Sequence, residues 1–312
     1  MKILWKRKMV AILIAVLLCG MAVLAGCTPR QEETPAYRIV TSFYPMYIMT
    51  KNITKGIDEV QVVDMAGNQA GCLHDYQLQS KDMQMLSQAD LFVINGAGME
   101  SFLEKVTRQL PNLKMLDSSI GVPRIRSGET DTHSAASNSD EAGEDNPHMW
   151  VSISNYILEV QNIAAGLEAD DPPRAARYRA NADAYVKKLS ALRERMHAAL
   201  DPLPHRDIIT FHEAFPYFAK EFHLRIVQTV QREPDSQPSA RELAQTIRMI
   251  RKSGVRAVFA EPQYSDSAAQ VIAQESGAQF YKLDPAATGP DDADAYLDAM
   301  EKNLAVLQKA LA

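Results

Sequence analysis

DPPRAARYRANADAYVKKLSALRERMHAA, residues 171–199, decides how the chain is read. Asp171 is a helix-capping residue type, and Pro172 and Pro173 suit the first turn of a helix, where no amide hydrogen is needed. Beyond them Tyr178, Ala182, Tyr185, Leu189, Leu192, Met196 and Ala199 recur every three or four residues, which makes one apolar stripe with Arg and Lys on the other faces. The pattern predicts a helix of about 28 residues and roughly 40 Å, longer than one small domain needs. Taken alone, such a run is a surface helix. Strand and helix patterns alternate on both sides of it, which favours a rigid connector between two α/β halves.

On the N-terminal side, residues 37–43, 60–65, 91–95 and 113–116 are short apolar or β-branched runs, with helical character between them at 81–89 and 99–110 and again at 153–167. On the C-terminal side, after Pro202 and Pro204, strands are expected at 207–211, 225–230, 256–260 and 279–283. Helices are expected at 215–222, 240–252, 267–275 and 291–311, with Gly254 and Gly277 where helix C-terminal glycines belong. The expected fold is α/β: two four-stranded parallel-sheet lobes, residues 36–170 and 202–312, joined by one long rigid helix within 171–201. Residues 127–146 are rich in Ser, Asp, Glu and Gly without apolar period, and read as a mobile surface loop.

The N-terminus stands apart from the fold. Lys2, Lys6, Arg7 and Lys8 precede an apolar run that ends in Leu24-Ala25-Gly26-Cys27, so residues 1–26 are a secretion signal. The small residues before Cys27 resemble the bacterial lipobox, which implies that Cys27 is acylated and that residues 27–35 tether the protein to the extracytoplasmic face of a membrane. A run of about 16 apolar residues is short of the roughly 20 that span a bilayer. Removing four basic and no acidic side chains with the signal takes the formal charge from −6 to −10, a poor balance for nucleic acid. Of three cysteines, Cys19 leaves with the signal and Cys27 carries lipid, so Cys72 has no intramolecular disulfide partner.

In open parallel sheets ligands bind beyond the carboxyl ends of the strands. His74 follows the second strand, His148 follows the fourth through the long loop, His212 directly follows the fifth and Asp284 the last. Two come from each lobe, which points to a site in the cleft between them. Three imidazoles and one carboxylate suit tetrahedral Zn2+, whereas Mn2+ draws more oxygen ligands. Glu261, ending the seventh strand, is an alternative fourth ligand or an acceptor that orients an imidazole. Phe211-His212-Glu213 starts like a zinc-protease helix, but Pro216 stands where the second histidine would be. His133, His197, His205 and His223 are better explained without metal. Cys72, two residues before His74, could attract zinc as a thiolate, but a buried inert thiol is the commoner outcome.

The chain resembles the zinc and manganese substrate-binding lipoproteins of bacterial ABC importers, the cluster A-I, ZnuA/TroA-like family. The resemblance covers nearly all the mature chain. It rests on Thr41-Ser42-Phe43-Tyr44-Pro45, Gly71-Cys72-Leu73-His74-Asp75-Tyr76, residues 89–100, Asn146-Pro147-His148-Met149-Trp150 and Phe211-His212-Glu213-Ala214-Phe215. In the second half it continues through Glu233-Pro234, residues 258–263 and Leu283-Asp284-Pro285. It implies two lobes bridged by a helix, a non-enzymatic role, ligands at His74, His148, His212 and Asp284, and a monomer that delivers metal to a membrane permease with its cytoplasmic ATPase. A histidine at 212, where manganese-selective relatives tend to carry a carboxylate, implies zinc. The family's histidine-rich loop is reduced here to His133. Leu73 replaces a usual proline, and Ala286-Ala287 follow Asp284-Pro285 where leucine and glycine are common, which keeps Glu261 as an alternative to Asp284. A manganese importer component, an exported zinc hydrolase with an open fourth position and a surface adhesin are the competing readings. Protons compete for imidazoles, so zinc affinity is expected to fall as pH drops through about 6.

Overall fold

The computed structural model describes residues 36–67, 71–73, 76–127, 144–230, 238–263 and 265–312. The expected signal, Cys27 and the tether lie outside the described residues, as do His74, the Glu233-Pro234 motif and most of the expected loop, including His133.

The first half holds β1 (Tyr37–Thr41), β2 (Val60–Asp64), β3 (Leu91–Ile94) and β4 (Met115–Asp117) in one parallel sheet of order β2-β1-β3-β4. The second half repeats it with β5 (Asp207–Thr210), β6 (Arg225–Thr229), β7 (Ala257–Ala260) and β8 (Gln279–Lys282) in the order β6-β5-β7-β8, again parallel. The expected α/β class with two four-stranded parallel sheets is the observed one. In each sheet the connections leave the first strand to one side and then return to the other. The switch points therefore lie between β1 and β3 and between β5 and β7, and the loops after these strands open the crevices where ligands bind.

The helices are α1 (Tyr44–Ile53), α2 (Ser80–Leu86), α3 (Leu103–Gln109), α4 (Ile153–Asp170), α5 (Ala175–Leu200), α6 (Pro216–Glu221), α7 (Ala240–Ser253), α8 (Ser267–Ser276) and α9 (Ala295–Leu311). α5 is the long helix of residues 171–199. Its stripe Tyr178, Ala182, Tyr185, Leu189, Leu192 and Met196 is buried as the spacing requires, and Leu200 rather than Ala199 ends it. Asp171 does not cap this helix. Pro172 and Pro173 form a 3-10 turn and leave no amide hydrogen on the first two turn residues, so the carboxylate instead accepts from the Tyr178 hydroxyl at 2.5 Å and from Arg174 at 2.8 Å. Gly254 and Gly277 end α7 and α8 in the left-handed region, φ 72° and 84°, as expected for helix C-termini.

Two elements depart from the sequence reading. α1 was not expected: eight of its ten residues are buried, so no exposed polar face marks it in the sequence. α3 begins at Leu103, not Met99, because Glu100 turns inward and accepts from the backbone N–H of Asn95 (2.8 Å) and Gly96 (3.0 Å), closing the turn after β3. Gly96 has φ 79°, and a Cβ there would lie 2.1 Å from an Asp117 carboxylate oxygen, so only glycine fits.

Two lobes would ordinarily have two cores, but the largest core is shared. It runs from Ile39 and Phe92 of the first sheet through the α5 stripe to Ile208 and Phe259 of the second, and a smaller cluster, Ile209, Val227, Val258 and Ile272, fills the other face of the second sheet. α1, α4 and α9 all pack on α5. The reason is a layer of aromatic side chains: Tyr156 stacks on Tyr296 at 3.6 Å and pairs hydroxyls with Tyr185 at 3.1 Å, and the Tyr296 hydroxyl donates to the Trp150 carbonyl at 2.9 Å. Each large side chain buried there contributes about 1.5–3 kcal/mol. Residues Tyr37–Ala312 accordingly form one compact unit.

Candidate metal centre

The chain returns from β4 toward the cleft through two strands of loop held together by an Arg126–Asp145 bridge, by Ser127 N–H to the Glu144 carbonyl (3.0 Å) and by Asn146 N–H to the Ile125 carbonyl (2.8 Å). Pro147 and His148 follow, and a 3-10 turn, Met149–Val151, leads into α4. The Pro147 carbonyl accepts from the Asn95 side-chain amide at 3.0 Å, so the turn closed by Glu100 also fixes the backbone that carries His148.

His148 is 2% exposed and His212, immediately after β5, is 3% exposed. Their rings meet edge to face with centroids 4.8 Å apart, and their Nε2 atoms are 3.0 Å apart. Asn146 determines the direction of the His148 ring. Its side-chain amide donates to the Glu213 carbonyl at 2.9 Å, which leaves Oδ1 to accept from both the His148 backbone N–H (3.0 Å) and Nδ1 (3.1 Å). With the proton on Nδ1, the lone pair of Nε2 points at His212. Two imidazole nitrogens so placed share one proton or hold one cation, and a zinc ion about 2.0–2.1 Å from each would keep them about 3.3 Å apart.

Trp150 is fully buried behind His148. Its ring lies 5.2 Å from the imidazole and 5.1 Å from Phe43, and its indole N–H donates to the Pro285 carbonyl at 2.8 Å. The Tyr217 hydroxyl donates to the Asn146 carbonyl (2.8 Å) and accepts from Ile125 N–H (3.0 Å). A cavity of about 630 Å³ opens in front of the imidazoles, bordered by Gly98, Ser101, Glu144, Asp145 and Glu213. Three carboxylates lie at its border, of which Asp145 pairs with Arg124 at 3.8 Å.

Of the residues expected at the site, the structure brings together His148 and His212. Among the described residues, the one group of three or more metal-type donors that lie within 4.8 Å of one another is these two imidazoles and Cys72. His74 lies outside the described residues. Asp284 follows β8, held by Asn303, which accepts from its N–H (2.9 Å) and donates to its carbonyl (2.7 Å). Its Oδ1 accepts from Ala286 N–H at 2.8 Å, and burial pushes its carboxyl above the usual range. Glu261, after β7 and 1% exposed, accepts from the Gln263 amide at 2.6 Å. Burial first, and then the neighbouring Asp284 charge, raise its carboxyl well above the usual value. These two carboxyls are neighbours, and neither belongs to the group of donors that lie within 4.8 Å of one another. His197 lies beside Phe222 and Asp201, away from the cleft. Sequence reasoning missed Asn146, Asn95 and Glu100, for which the only signals were an Asn two residues before a candidate ligand and polar residues at a strand's carboxyl end.

The paired sheets and the imidazoles enclosed between them define a two-lobed α/β metal-binding protein. Residues 39–310 match the family model described as ZnuA, zinc-uptake complex component A, periplasmic, and the chain belongs to that family. It is 28% identical to the zinc-binding lipoprotein AdcA of Streptococcus pneumoniae over 97% of this chain and 61% of that protein, so it spans about three-fifths of that relative's length. It is also 28% identical to the high-affinity zinc uptake system protein ZnuA of Bacillus subtilis, over 94% of this chain and 92% of that one. Among solved structures it is similar to FpvC of Pseudomonas aeruginosa in complex with Mn2+, with a TM-score of 0.77, 29% identity, and coverage of 88% and 98% of the two chains.

Proposed function

We propose that this chain is the exported zinc-capturing component of a bacterial ABC importer. It binds Zn2+ in the inter-lobe cleft and hands it to a membrane permease powered by a cytoplasmic ATPase. The observation that carries the reading is the buried imidazole pair, Nε2 to Nε2 at 3.0 Å with the His148 tautomer set by Asn146, in a member of a zinc-uptake family. In this reading His74, His148, His212 and Asp284 ligate the ion, with Glu261 as an orienting neighbour or alternative ligand. Residues 1–26 are a lipoprotein signal, Cys27 carries the lipid, 27–35 form the tether, and the lobes 36–170 and 202–312 flank the connector 171–201. The protein acts as a monomer at the extracytoplasmic face of the membrane.

It is a binding component rather than an enzyme, because four protein ligands leave no position for a reactive water. The shared core limits lobe closure, so release depends on local motion around His148 or on contact with the permease. The test is metal analysis after loading the purified chain with equimolar Zn2+ and Mn2+. Retention of zinc, lost in His148→Ala, is expected. Preferential retention of manganese would establish the second reading, a manganese importer component, which the similarity to an Mn2+ complex motivates. A third reading, an exported zinc hydrolase, requires that Asp284→Ala abolish an activity while leaving zinc affinity unchanged.

A further inference from the structure

We propose that Cys72 is a thiolate ligand to the transported ion, forming with His148 and His212 a sulfur-containing donor set that selects zinc and other borderline-soft divalent cations over manganese. The proposal rests on the zinc-capture reading and refines it.

A lone cysteine is no site, but this one is not alone: its sulfur and one nitrogen from each of two buried imidazoles lie within 4.8 Å of one another. In a tetrahedral zinc site with Zn–S about 2.3 Å and Zn–N about 2.0–2.1 Å, sulfur and nitrogen sit about 3.6 Å apart, so the three donors need close by little more than an ångström. The imidazole nitrogens are already near their liganded separation. The thiol is also anchored. Gly71 turns the chain in the left-handed region at φ 72°, and Leu73, 0% exposed, is buried in the shared core. The Leu73 carbonyl accepts from Tyr76 N–H at 3.1 Å, while the Tyr76 hydroxyl donates to Asp82 at 3.0 Å. Cys72 itself is half-buried, packed on that core beside the cleft.

The chemistry follows from ligand softness. A thiolate gains more from zinc, cobalt or nickel than from manganese, which prefers carboxylate, carbonyl and water oxygens. The two imidazoles already favour zinc over manganese, and one sulfur in the set widens that preference. Binding displaces the thiol proton to solvent and involves no change of oxidation state. One tetrahedral position then remains for His74 or Asp284, so the thiolate takes the place of the other in the four-ligand shell.

Cobalt(II) is the probe. The full chain, purified with a phosphine reductant and loaded with one equivalent of Co2+, is expected to show near-ultraviolet thiolate-to-cobalt charge-transfer absorption alongside visible d–d bands, both removed by Zn2+. Cys72→Ser should keep the d–d bands, lose the charge-transfer band and lower the preference for Zn2+ over Mn2+ about tenfold. Cys72→Ala serves equally if the serine variant does not fold. Stoichiometric Co2+ binding that responds to His148→Ala but shows no charge-transfer band overturns the thiolate and leaves the zinc-capture reading intact. Absence of stoichiometric Co2+ or Zn2+ binding overturns both.

Discussion

At the scale of single residues, the site depends on who holds the histidines. Asn146 is committed on both sides of its amide, donating to the Glu213 carbonyl and accepting from His148 Nδ1. Asn146→Ala removes the acceptor that fixes the tautomer and frees the ring to turn. Loss of such an orienting partner costs about 10–100-fold in metal affinity, so chelator competition should place the variant in that range below wild type, while the buried hydrogen bonds lost with it lower the urea midpoint by an amount equivalent to about 1–3 kcal/mol. An affinity equal to wild type would mean that packing against Trp150 alone orients the ring. His148 and His212 were legible because a histidine at the carboxyl end of a parallel strand is a simple positional argument. Cys72 was legible only as an outside candidate, since its nearness to two residues 76 and 140 positions away is a property of the folded chain. Asn146 and Glu100 were not legible as supports at all, because a short polar side chain names its partners only once the backbone is placed.

At the scale of elements, Glu100 links the strand β3 to the His148 loop, through the N–H groups of Asn95 and Gly96 and then through Asn95 to Pro147. Burial pushes its carboxyl up to about 7 from 4.5, although those backbone N–H groups pull it back. The folded protein therefore binds this proton more tightly than the unfolded chain does. The group's stabilising contribution is full below about 4.5 and is lost as pH rises through about 7. Asp64, raised to about 6 mainly by burial, acts in the same direction over a narrower range. Glu100→Gln should flatten the fall in stability between pH 4.5 and 7, seen as a smaller shift of the urea midpoint between those values. An unaltered slope would assign it to other carboxyls. The same residue explains why α3 was expected four residues early: an apolar period beginning at Met99 cannot show that Glu100 has turned toward the strand. α5 was legible almost to its ends because its stripe repeats over 26 residues with Arg and Lys on the other faces, whereas α1 has only ten residues, eight of them buried.

At the scale of the whole molecule, the strand–helix alternation made two sheets legible, but not that they share one core. The residues that fuse them, Trp150, Tyr156, Tyr185 and Tyr296, are scattered along the chain and meet only through α4, α5 and α9. Polar contacts between α1 and the loop before α9 reinforce the seam. The Tyr44 hydroxyl donates to the Pro290 carbonyl at 2.8 Å and the Asn52 amide to the Ala293 carbonyl at 2.7 Å. A hinge would have to break these bonds and expose the aromatic layer, whereas one bound ion contributes only a few local contacts. Zinc binding should therefore order the parts that carry donors without swinging the lobes. Hydrogen exchange measured with and without Zn2+ should show added protection around residues 71–73, 95–100, 144–150 and 210–217, with α5 and the α9 seam unchanged. Protection spreading along α5 would instead require a lobe movement that the shared core forbids, and would transfer the release step from local rearrangement at His148 to a true hinge.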